Sequence, residues 1–158
     1  MESILHAAER GPRIGGLDIV VLQDKEKIGI ISDTAKREMI RGGGWNKSRA
    51  MTPGYNPLYG APTVIMLYGH SSNSFDQVTT GIAVGMMILA ATALGLGSVT
   101  VSSVRHAFDG PEGSALKRLL GLTRGEDVIL SLAVGYTDNP KAHAMKGASH
   151  NNVRYIRK

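Results

Sequence analysis

The one concentration of residues able to do chemistry is Gly95-Leu96-Gly97-Ser98, which runs straight into Val99-Thr100-Val101-Ser102-Ser103-Val104. The hydroxyls of Thr100, Ser102 and Ser103 can donate and accept, and glycines let peptide N–H groups approach a flat ligand. Two readings stay open for the glycines: they close a helix in a left-handed turn, or they bare a backbone edge for a bound group. No established nucleophile, phosphate-loop or zinc-hydrolase motif accompanies them. The chain has no cysteine, which excludes disulfide scaffolds, thiolate zinc sites and cysteine nucleophiles. His6, His70, His106, His143 and His150 do not fall at metal-ligand spacings, so surface or structural roles are expected. No catalytic side chain and no metal site is assigned.

The element that must position this segment is the apolar stretch from Thr80 to Leu96, which reads as a helix buried all around. It is marginal in length for a membrane span and lacks a basic collar, so a core helix is expected and no membrane partner. Gly81 and Gly85 share one face, where a neighbouring helix could approach closely. A chain of 158 residues has too little protein to cover such a helix on every side. A symmetric partner would supply the cover, so a homodimer is expected.

Around that helix the pattern predicts an α+β fold. Helices are expected over Glu2 to Glu9, Lys25 to Ile40 and Gly113 to Leu120, and strands over Leu17 to Leu22, Pro62 to Gly69, Val99 to Val104 and Glu126 to Tyr136. Gly42 to Gly60 reads as a long irregular stretch, of the kind that forms a lid, a ligand rim or a partner contact. One domain is expected over residues 1–158, with 137–158 an extended tail against the partner subunit; Val153 and Ile156 suit an added edge strand. Hydrophobic residues at 42% and charged residues at 20% are ordinary for a globular protein. The net charge of +5 is scattered rather than gathered in a stripe, which argues against a nucleic-acid partner and fits attraction of small phosphorylated ligands. No secretory signal opens the sequence, and a cytoplasmic location is expected.

Five segments in order carry a resemblance: Ile4-Leu5-His6-Ala7-Ala8, then Asn56 to Ile65, Met86 to Ser98, Gly110-Pro111-Glu112-Gly113, and Leu132 to Tyr136 with Asn139-Pro140-Lys141-Ala142. Together they resemble the nitroreductase-like family of FMN-dependent oxidoreductases. The resemblance implies a mixed sheet flanked by helices, an intertwined homodimer, and FMN at the subunit interface. It also implies NAD(P)H as donor and a nitroaromatic, quinone or similar small molecule as acceptor. Aligned on the family, Gly97, Ser98, Thr100, Val101, Ser102 and Ser103 lie against the isoalloxazine. The family's Arg-rich phosphate-binding segment has no counterpart in this sequence, which reads as a shortened member. Arg13 and Lys146 are then the candidates for the phosphate. The alternative is a dimeric protein that kept the fold, lost the flavin and binds another planar ligand beside Trp45, Tyr55 and Tyr59.

Overall fold

The four runs richest in β-branched and aliphatic residues form one sheet. In the computed structural model, which describes residues 1–11, 17–122, 125–138 and 156, these are β1 (Asp18–Leu22), β2 (Thr63–Gly69), β3 (Gly97–Val101) and β4 (Asp127–Gly135). They lie in the order β1-β2-β4-β3, each pair antiparallel. β2 and β4 are central, and β2 is buried along almost its whole length. That is why its sequence reads as a continuous apolar run rather than an alternation.

Alternate residues of β2 serve two cores. Val64 and Met66 join Leu22, Ile31, Leu58, Val104 and Phe108 on one face, while Ile65 and Leu67 join Ile4, Val84, Met87, Leu132 and Val134 on the other. The first face is covered by α2 (Lys25–Gly42), α5 (Arg105–Asp109) and α6 (Gly113–Leu119), the second by α1 (Glu2–Glu9) and α4 (Ser74–Ala93). The β2–β4 register passes from Leu67↔Leu130 to Tyr68↔Val128, so Ile129 is an extra residue. This bulge turns Val128 toward the first core, out of phase with Leu130 and Leu132. The α+β class expected from the sequence is the observed one.

Three local expectations change. The central helix begins at Ser74 rather than Thr80, because the Asn73 side chain accepts from the Phe75 N–H and caps it. Buried Asp76, in the first turn, accepts from the His70 N–H and the Asn73 side-chain amide, both at 2.9 Å. The helix is also not buried all around. Phe75, Val78, Gly81, Gly85 and Leu89 face outward, Leu89 with 61% of its surface exposed. Finally, the Gly42–Gly60 stretch is not irregular throughout: α3 (Gly44–Ala50) stands inside it, started by Gly43 at φ +77°. The glycine triplet hid a helix too short to show an apolar period.

The helix-end reading of the glycines holds. Gly95 sits at φ +70°, its N–H donates to the Thr92 carbonyl and the Leu96 N–H to the Ala91 carbonyl. This paired closure uses the conformation that glycine adopts without strain. It turns the chain directly into β3.

A candidate ligand cleft along the outer edge of strand β3

β3 is the last strand of the sheet, and its outer side has no strand neighbour among the described residues. Val99 and Val101 face the first core, so Ser98 and Thr100 point the other way, Thr100 exposed. The chain then turns at Ser102 and Ser103, whose carbonyls accept from the Arg105 and His106 N–H groups and open α5. The predicted strand to Val104 therefore stops at Val101, and Val104 is buried in the first core.

Over this edge lies an open cleft of about 340 Å³. Thr100, Val101, Ser102 and Ser103 form one side, Arg105, His106 and Asp109 of α5 another, and Trp45, Asn46, Arg49 and Tyr59 the third. Gly97 and Ser98 line a neighbouring hollow with Gly60, Pro62 and Tyr136, and Tyr59 stands between the two. Six of the residues expected at the cofactor are thus gathered along one edge. Arg13 and Lys146 lie outside the described residues, as does almost all of the expected tail; Ile156 is exposed.

The third side of the cleft is held from the core. Buried Leu58 anchors the turn. The Asn56 side-chain oxygen accepts from the Leu58 N–H at 2.7 Å and from the Ser32 hydroxyl at 3.0 Å, tying the turn to α2. Lys36 Nζ donates to the Tyr55 carbonyl at 3.1 Å. Tyr59 takes φ +58°, the left-handed region that a non-glycine residue enters at a cost of roughly 1–3 kcal/mol. Its phenol accepts from Arg49 Nη2 at 2.7 Å. The Arg49 guanidinium stands 5.3 Å from the ring centroids of both Trp45 and Tyr55. On α5, Arg105 pairs with Asp109 at 3.4 Å, and His106 Nε2 lies 3.3 Å from the Asn46 side-chain amide.

Arg49 was not singled out in the sequence, and His106 was expected in a surface or structural role rather than at the cleft. The available signal for Arg49 was its spacing from Trp45, one helical turn apart. What the arrangement can do is hold a flat, polar-edged molecule between an open strand edge, three hydroxyls and a cation-rich aromatic rim. Among the described residues no cluster of His, Asp and Glu could hold a metal ion.

A model of the nitroreductase family matches residues 1–136. The chain belongs to the nitroreductase family. Solved nitroreductases with bound FMN from Bacteroides fragilis and Desulfitobacterium hafniense superpose on it with TM-scores of 0.84 and 0.86, at 20% and 22% identity. The alignments cover 99% of this chain and 86% and 85% of theirs. An NADPH:FMN oxidoreductase from Vibrio harveyi, complexed with NAD+, aligns at TM-score 0.67 and 17% identity over 99% of this chain and 67% of its own. Identities this low establish the shared nitroreductase fold. No curated protein matches the chain in sequence.

Proposed function

We propose that this nitroreductase-family chain is an FMN-dependent oxidoreductase that takes electrons from NAD(P)H and passes them to a nitroaromatic, quinone or similar small acceptor. The observation that carries the reading is the outer edge of β3, which no other strand among the described residues covers, bordered by the hydroxyls of Thr100, Ser102 and Ser103 and open to the cleft. A strand edge alternates N–H donors and carbonyl acceptors, as does the polar side of an isoalloxazine, so the donor set fits that ring. FMN, when bound, supplies the hydride and electron chemistry that no side chain here could.

The work left to the chain is positioning. Gly97, Ser98 and the segment from Thr100 to Ser103 would hold the ring, and Tyr59, between the two hollows, would border it. Arg13 and Lys146 remain the proposed phosphate contacts. The domain is taken as the whole of residues 1–158, with 137–158 reaching a partner, and a cytoplasmic location goes with NAD(P)H as donor.

The enzyme is proposed to work as a homodimer. Val78, Gly85 and Leu89 form an outward apolar stripe on α4, and Gly81 and Gly85 leave open space where a second helix could approach. By length and composition Ser74–Ala93 could also cross a membrane. Its inner residues Ala83, Val84, Met87 and Ala91 are packed in the second core, which favours a helix shared between subunits. Steady-state oxidation of NADH and NADPH, with and without FMN and a quinone acceptor, tests the activity. FMN-dependent turnover of either nucleotide is expected. Its absence with both leaves the binding-protein alternative.

A further inference from the structure

The rim of the cleft carries a cation that no acid among the described residues balances. Arg105 has Asp109, whereas no carboxylate among the described residues pairs with Arg49. Arg49 has five N–H donors, and its contacts among the described residues are the Tyr59 phenol and the two ring faces. A guanidinium flanked by two rings and tied to a third is fixed in orientation before any ligand arrives, with donors left to spare. The aromatic groups beside it are turned outward: Trp45 is 70% exposed and Tyr59 52%. Tyr59 takes its left-handed backbone conformation, with Gly60 beside it, as a central residue of the turn closed by the Ala61 N–H on the Leu58 carbonyl at 3.0 Å, and that turn points its ring outward. The pattern is a planar apolar surface with one unsatisfied, preoriented positive fork at its side.

We propose that Arg49 makes this cleft selective for aromatic carboxylates, the carboxylate on the guanidinium and the ring against Trp45 and Tyr59. It rests on the flavin reading only in treating the bound molecule as the electron acceptor; the binding preference itself needs no flavin. Two-point Arg–carboxylate contacts are short, charge-assisted and directional, which a neutral amide of the same shape cannot reproduce.

The probes are 4-nitrobenzoate and its neutral isostere 4-nitrobenzamide, titrated calorimetrically into the purified protein with and without saturating FMN. Trp45 is the one tryptophan in the chain, so quenching of its emission reports binding at this cleft. The carboxylate is expected to bind about tenfold or more tightly than the amide. Arg49→Gln should erase that preference while the amide's Kd moves less than about threefold; Arg49→Lys, which keeps the charge and loses the fork, should retain part of it. Equal affinities in the wild type, or a preference that survives in Arg49→Gln, would overturn the proposal. A preference found in protein that binds no FMN sinks the oxidoreductase reading and leaves the carboxylate site standing.

Discussion

Gly135 packs against Pro62 so closely that a Cβ on the glycine would stand 2.8 Å from the proline Cδ. The two residues are far apart in sequence and meet because β2 and β4 pair Thr63 with Val134. A proline ring cannot swing aside as a flexible side chain would. Gly135→Ala is therefore expected to cost about 1–3 kcal/mol, read as a lower urea midpoint. An unchanged midpoint would mean that the contact is looser than described.

Gly113 meets a harder limit. A Cβ there would lie 1.9 Å from the Phe108 carbonyl oxygen, which is backbone, and the Gly113 N–H is already committed to the Gly110 carbonyl at 2.9 Å. Gly113→Ala should destabilise more than Gly135→Ala, by about 3 kcal/mol or more, since the turn from α5 into α6 must move. A thermal scan showing the reverse order would contradict this geometry.

The outward face of α4 yields an opposite expectation. Among the described residues nothing comes within 4 Å of a Cβ at Gly85, so an exposed Ala there should gain up to about 1 kcal/mol of helix stability if the face meets only water. In a dimer packed through this face, Gly85→Ala should instead weaken association, and Leu89→Glu should give monomers. Sedimentation equilibrium separates the two, and a monomeric wild type at micromolar concentration would remove the dimer.

The Asp127 carboxylate joins three elements. It receives Lys117 Nζ from α6 at 2.5 Å and the Ser71 hydroxyl from the turn before α4. Partial burial raises its pKa, but the hydrogen bonds from Lys117 and Ser71 and the charges of Lys117 and Arg105 outweigh that and hold it below the usual carboxylate value. A lowered folded-state pKa gives stability that is complete above the unfolded value near 4 and is lost as pH falls through the folded one. Urea midpoints measured from pH 6 downward should fall more steeply below about pH 4 in the wild type than in Asp127→Asn. Parallel curves would show that the carboxylate contributes nothing.

What the sequence made legible follows from the strength of each local signal. β2 and β4 announce themselves because central strands buried on both faces have no polar register to obscure them. α2 stops close to its expected end because Gly43, at φ +77°, turns the chain out of the helix just past Gly42. α3 and α5 escaped notice since helices of seven and five residues hold too few turns to show a period, whereas the equally short α6 is marked by Pro111 before it and Gly121 after it. The β3 half of the cleft was readable from contiguous residues. Its Arg49 half was not, because the proximity of Arg49 to Tyr55 and Tyr59 depends on a turn fixed by Ser32 and Lys36 of a different helix.

Whether the β3 edge holds a flavin is tested most directly by gel filtration of the purified protein after incubation with excess FMN. Flavin absorbance should travel with the protein peak, near one FMN per chain, and persist on a second passage. A colourless protein peak, with all the flavin eluting as free small molecule, would contradict it.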